Sequence, residues 1–239
     1  MMKKLILSFL CIFAAAAAMA QEPGLDEILA KYCKASAMDR LAGVKTMVMA
    51  GQLMQQDLMP YKITRMRPDR YLLEFDVADV SSLQGYDGTT AWFTAPYTGN
   101  PKAQTMPPDR AADIKMRADF DGPLVNWKAK GYQLEVAGTD TVGKEIAWKL
   151  KLTRKDGGTE YYSIGKTSGM LLKRQFSRMV RGTETKVEAV YRDYRMVDGI
   201  PFAFTIENIL GGQPWNTVQF ESITLNVPVE EKIFAMPAH

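Results

Sequence analysis

Arg67-Pro68-Asp69-Arg70-Tyr71-Leu72-Leu73-Glu74-Phe75 and, after a spacer, Tyr86-Asp87-Gly88-Thr89-Thr90-Ala91-Trp92-Phe93-Thr94-Ala95-Pro96 decide how this chain is read. The alternation predicts two strands joined by a loop. Tyr71, Leu73 and Phe75 share one parity and so one face of the first strand. Asp87-Gly88 is a tight-turn dipeptide, because glycine tolerates positive φ and aspartate bonds its own backbone. Trp92-Phe93 brings bulky apolar surface onto the next strand.

Working outward, the same grammar continues on both sides. Leu25, Ile28, Leu29, Tyr32 and Cys33 fall at helical spacing, with Asp26 and Glu27 in the first turn. Val44–Gln55 is strand-like and rich in methionine, followed by a strand over Tyr61–Arg67 that Pro68 ends. Met47 and Met49 have two readings. They fill gaps in a core, or their flexible thioethers line a cavity for variable acyl chains. Tyr97–Pro108, with Gly99, Pro101, Pro107 and Pro108, reads as a loop. Asp109–Ala118 then reads as a helix, and Leu124–Lys128 as a second short one with Gly131 as its C-cap. These helices have too few residues for a core of their own, so they are expected to pack on the sheet as a lid, through Ile114, Leu124 and Trp127. Tyr132–Leu225 is a long antiparallel run with turns at Asp156-Gly157, Asp198-Gly199 and Gly211-Gly212. Such a run must close into a barrel or curl around something, because a flat sheet would leave apolar area in water.

Composition bounds the chemistry. At 239 residues, 46% hydrophobic and 24% charged, the chain fits one β-rich domain over residues 21–239. Residues 1–20 read as a cleaved signal peptide: Lys3 and Lys4, an apolar stretch from Leu5 to Ala18, and a small-x-small site at Ala18-Met19-Ala20. Removing the two leader lysines takes the formal charge from +3 to +1, too little for nucleic acid. After cleavage Cys33 is the single cysteine and His239 the single histidine. A histidine base, a catalytic triad and a histidine- or thiolate-held metal are therefore disfavoured, and no cofactor, metal site or catalytic residue is expected. Phosphate-loop and Gly-x-Ser-x-Gly motifs are absent. A binding protein remains, with the apolar concave face of a curved sheet as its site.

Arg-Pro-x-x-aromatic, a spacer, then Asp-Gly-x-Thr-x-Trp-Phe-x-x-Pro resembles the LolA-like family of periplasmic carriers for outer-membrane lipoproteins. Tyr191-Arg192-Asp193-Tyr194-Arg195-Met196-Val197-Asp198-Gly199-Ile200-Pro201, Asn226-Val227-Pro228 and Phe234-Ala235-Met236-Pro237 resemble the tail of broader lipoprotein-sorting relatives. The resemblance implies an incomplete antiparallel β-barrel with a helical lid, a periplasmic location, and a role as a lipid or lipoprotein carrier. Acylated lipoproteins or lipids would be its cargo, with an inner-membrane donor complex and an outer-membrane acceptor as partners. It also implies that Arg67, matching the family's arginine before the proline, holds the lid closed. On its residue chemistry alone Arg67 is either that latch or a surface arginine ending a strand. Tyr71 matches an aromatic that lines the family's cavity, while Leu73 stands where the carrier has a second aromatic. The candidate acyl-chain face is therefore Met47, Met49, Tyr71, Leu73, Phe75, Trp92, Trp148 and Leu150. An envelope-stress sensor or adaptor on the same fold is the alternative function.

Overall fold

A computed structural model describes residues 22–77, 79–180 and 182–238, so the leader and His239 lie outside it. Two short helices, α1 (Leu25–Ala35) and α2 (Met38–Leu41), open the chain. Then come β1 (Thr46–Met54), β2 (Leu58–Met66), β3 (Arg70–Val77), β4 (Val80–Tyr86), β5 (Ala91–Ala95) and β6 (Asn100–Thr105). Helix α3 (Pro108–Ala118) follows. The remaining strands are β7 (Gln133–Val142), β8 (Glu145–Thr153), β9 (Thr159–Gly165), β10 (Leu171–Val180), β11 (Thr183–Val197), β12 (Ile200–Leu210) and β13 (Gln213–Leu225).

All of these strands form one 13-stranded antiparallel sheet, ordered β6-β5-β4-β3-β2-β1-β13-β12-β11-β10-β9-β8-β7. It does not close, which is the open barrel expected. Neighbours in the sheet are neighbours in sequence except at β1–β13, where the two hairpin runs meet. A register shift at Ala50/Gly51 bends that seam. A Cβ on Gly51 would lie 2.0 Å from the Gln219 carbonyl oxygen, so only glycine admits this approach.

The sequence reading is corrected in three places. The Arg67–Pro96 stretch holds three strands, because the spacer itself forms β4. Its Ser81, Ser82, Gln84 and Gly85 hid the strand from a hydrophobic pattern. The expected Tyr97–Pro108 loop contains a 3-10 turn (Pro96–Thr98) and β6. Pro101 is tolerated there because β6 is a sheet edge. The expected second helix at Leu124–Lys128 is a series of turns, broken by Asn126 at φ 53°. Gly131 nonetheless caps it, at φ 72°, with Gly131 N–H donating to Lys128 O and Tyr132 N–H to Trp127 O. The Asp87-Gly88 turn forms as read, Asp87 Oδ1 accepting from Thr89 and Thr90 N–H at 2.8 and 2.7 Å.

The convex face has its own small core. Leu72, Trp92, Ala103 and Phe234 are buried together there, with Met66, Leu83, Val229 and Met236 packed around them. Trp92 lies over Gly85, where a Cβ would come within 2.3 Å of the indole, and its Nε1 donates to Phe234 O at 2.8 Å. The C-terminal segment is thus pinned across the back of the sheet, starting where Asn226 N–H donates to Thr46 O. Phe234 is fully buried. Phe234→Ala is expected to lower stability by about 3–5 kcal/mol, the usual range for a buried phenylalanine, as measured by urea unfolding.

Candidate functional site

Helix α3 and the turns after it connect β6 to β7, the two opposite edges of the sheet. This connection crosses the concave face and covers it. Residue pairing fixes which side chains point that way. Leu73, Ile63, Met49 and Ile223 form one cross-strand row; Leu53, Val218, Ile206 and Tyr191 form another; Ala189, Arg174, Tyr162 and Leu150 continue it.

Two apolar clusters occupy this face. One holds Met47, Tyr71 and Leu73, with Met49 and Phe75 packed against it and Ile114, Ala118 and Phe120 entering from the lid. The other holds Trp148 and Leu150, with Ile28 and Tyr32 of α1 and Met116 and Leu124 of the lid; Trp127 packs at its margin. Of the eight residues read as an acyl-chain face, seven therefore face the lid, divided between two clusters. Trp92 does not: it is on the convex face, because its strand pairing puts it with Gly85 and not with Tyr86. The three lid residues, Ile114, Leu124 and Trp127, all pack toward the sheet.

Arg67 joins three segments. Its Nε donates to Val44 O at 2.7 Å and one terminal nitrogen to Leu41 O at 2.9 Å. Both terminal nitrogens grip the Asp121 carboxylate in the lid, at 2.5 and 2.9 Å. Arg65, one same-face position earlier on β2, donates to Asp119 O at 2.6 Å. The ring of Phe120, between these two anchor points, lies 4.9 Å from the Arg65 guanidinium and 4.5 Å from that of Arg67. Lys130 ties the turn together, donating to Asp119 Oδ1 at 2.9 Å and to Gly122 O at 2.8 Å. The lid group that Arg67 holds is a carboxylate, and the carbonyls it bonds belong to the segment after α2. Arg65 and Phe120 were missed. Parity carried the signal, since Tyr61, Ile63 and Arg65 share a face.

A buried polar network, also missed, lies between α3 and the strands. Glu160 is 1% exposed. It accepts from Arg174 at 2.7 and 3.1 Å, from Arg154 at 2.9 Å and from the Tyr162 hydroxyl at 2.6 Å. Burial by itself would raise the Glu160 pKa, but Arg174, Tyr162 and Arg154 outweigh it and hold the carboxyl ionised. On α3, Arg117 Nε donates to Asp113 at 2.9 Å. The Tyr71 hydroxyl lies beside Arg117 without a well-formed hydrogen bond to it, and burial pushes its pKa up.

With the lid in place Met47, Tyr71 and Leu73 are buried, while Met49, Leu53, Ile63 and Ile206 on the same face are only partly buried. Among the described residues, the best-formed concavities are open surface dents of about 470 and 450 Å³. One is lined by Gly43, Lys45 and Asn226–Val229, the other by Cys33–Arg40, and neither lies under α3. Cys33, on α1, is half-buried, and burial raises its thiol pKa.

No family model matches the sequence, and no curated protein matches it. Solved structures do share the fold. A LolA superfamily protein from Nitrosomonas europaea aligns with a TM-score of 0.59 at 15% identity, over 90% of this chain and 98% of that one. A putative outer membrane lipoprotein-sorting protein domain from Vibrio parahaemolyticus gives a TM-score of 0.60 at 12% identity, over 87% and 96%. A DUF1329 family protein from Desulfovibrio piger gives 0.59 at 15%, over 87% and 97%. The chain thus has a LolA-like open-barrel fold, and the likeness spans nearly the whole of each of these structures.

The clasp has a pH signature. Hydrogen bonding from Arg67 holds the Asp121 carboxyl below its ordinary value, against the opposing effect of burial. A carboxyl whose pKa is depressed in the closed lid stabilises closure above its ordinary value, and that contribution is lost as pH falls through the depressed one. Protection of residues 119–131, from hydrogen exchange corrected for intrinsic rates, should fall on acidification below the ordinary aspartate range. Asp121→Asn should start with lower protection and lose that part of the pH dependence.

Proposed function

We propose that this protein is a periplasmic carrier that sequesters the acyl chains of lipids or lipoproteins on the concave face of its sheet, exchanging them for its own lid. The supporting observation is the apolar face covered by a crossover that one arginine clasps. The LolA-like fold, shared with a putative lipoprotein-sorting domain, points the same way. Acylated lipoproteins or lipids are the cargo, passed from an inner-membrane donor to an outer-membrane acceptor, and the signal peptide read at residues 1–20 accounts for export.

The energetics suit reversible loading. Ile114, Met116, Phe120 and Leu124 are each at most 6% exposed beneath the lid. Burial of such side chains is worth about 1.5–3 kcal/mol each, so undocking them costs on the order of 6–12 kcal/mol as an upper bound. A buried methylene returns about 0.8 kcal/mol, so about 8–15 methylenes offset the lid. One acyl chain is enough to open it, and the lid's return then offsets most of what that chain gains. A rigid, permanently open groove would bind two or three chains too tightly to release.

Mass spectrometry of lipids that co-purify with the chain from envelope extracts tests this reading: acylated cargo is expected. A preparation free of acyl chains that brings down a protein partner would move the assignment to an adaptor role. Arg67→Leu removes the clasp and leaves Asp121 unpaired by it. Hydrogen bonds to charged groups contribute about 1.5–3 kcal/mol, so the open population should rise by about 10–100-fold. Faster exchange of residues 119–131 and altered lipid transfer rates should report it; wild-type values for both would remove Arg67 from the latch role.

A further inference from the structure

The network beneath α3 does not balance its charge. On β10 the positions facing the lid are Arg174, Phe176 and Arg178. Arg174 bonds Glu160 through Nε and one terminal nitrogen, and the same terminal nitrogen reaches Asp113 of α3 at 3.4 Å. Arg154 shares Glu160 and also pairs with Asp156 at 3.1 Å. Arg178 lies 4.5 Å over the Trp215 ring, and its Nε is buried with no hydrogen-bond partner among the described residues. To this network the sheet and its turn contribute three arginines, Arg154, Arg174 and Arg178, against Glu160 and Asp156. Burial, and then the nearby Arg117, both disfavour the charge on Arg178, while Asp113 favours it.

The lid supplies the missing anion. Asp113 is the α3 carboxylate that reaches Arg174 and, through space, Arg178. It arrives with Arg117, and Arg110 of α3 also acts on Arg178, so Asp113 is shared and the closed state still holds guanidinium in excess. When α3 lifts away it takes Asp113 with it. The uncovered face then presents Arg174 with one carboxylate fewer and Arg178 with none among the described residues; Leu150, Tyr162 and Ala189 flank Arg174 along the sheet, and Trp215 lies against Arg178. An apolar wall beside unneutralised guanidinium forks is a site for an amphiphile with an acidic end.

We infer that Asp113 stands, in the closed protein, where the guest's own anion binds: the cargo is an acyl chain ending in a phosphate or carboxylate that bonds Arg174 and Arg178. This rests on the reading above that the face takes acyl chains, and adds the chemistry of the headgroup. It also gives a reason for paired arginines in a place where neutral tails need none.

Calorimetric titration of the mature chain with probes sharing one oleoyl tail tests it, each kept below its micellar concentration. Oleoyl lysophosphatidic acid and sodium oleate carry the anion, 1-oleoylglycerol does not, and inorganic phosphate carries the anion without the tail. At least one of the two anionic amphiphiles should bind at least tenfold more tightly than 1-oleoylglycerol, and whichever is tighter identifies phosphate or carboxylate as the preferred group. Phosphate alone should bind at least a hundredfold more weakly. Arg178→Gln should weaken the preferred anionic probe at least fivefold and leave 1-oleoylglycerol unchanged. Equal binding of charged and neutral oleoyl probes to the wild type would overturn the headgroup inference while leaving the carrier intact. Failure of all three amphiphiles to bind would overturn both. Phosphate binding as tightly as the lysolipid would assign the arginines to a free anion instead.

Discussion

One connection has to cross a face that cannot be left wet. The first hairpin run builds outward from β1 to the β6 edge, the second returns from the β7 edge to β13, and β13 pairs with β1. The chain must therefore travel from one edge to the other between Thr105 and Gln133. A curved sheet with buried rows such as Leu73 and Tyr71 needs cover on its inner side. Crossing and covering are done by the same residues, which is why a helix of modest length and a string of turns can serve as a lid.

The cover is held most firmly at one place. Its deep contacts are apolar and non-directional, through Ile114, Met116, Phe120 and Leu124. Its shortest directional contacts gather at Asp119–Asp121, where Arg65 and Arg67 bond the backbone and carboxylate and flank Phe120, with a longer one between Asp113 and Arg174. Burial sets how much closure is worth; the arginines set the geometry it returns to. Because the clasp also reaches Leu41 and Val44, the state of the lid is linked to the connector after α2.

The edges and the back of the sheet are arranged so that opening the front exposes little else. β6 carries Pro101 and Lys102, and β7 is bulged between Val136 and Thr139, with Gly138 at φ 108°. These features discourage strand addition by another chain. The convex face keeps its own core around Trp92 and Phe234, independent of the lid. A lid that moves thus leaves the sheet's pairing and its rear packing intact.

Much of this was legible in the sequence. Strand alternation, Asp-Gly and Gly-Gly turns and the helix at Asp109–Ala118 fixed the class of fold, because side-chain period and turn chemistry are local properties of the chain. The polar strand β4, with Ser81 and Ser82, was not, since it carries no hydrophobic pattern to see. Parity within a strand told that Tyr71 and Leu73 share a face; it could not tell that Trp92 lies on the opposite one. That depends on the Gly85–Trp92 register two strands away. Nor could spacing reveal that Asp121 would meet Arg67, or that Glu160 would be buried among arginines, because these partners are brought together by strand pairing and the crossover of α3. The sequence by itself determined the period, the turns and the supply of apolar and cationic side chains. Tertiary structure alone decided which of them meet beneath the lid, since contacts between residues far apart in the chain exist only once the sheet has chosen its register.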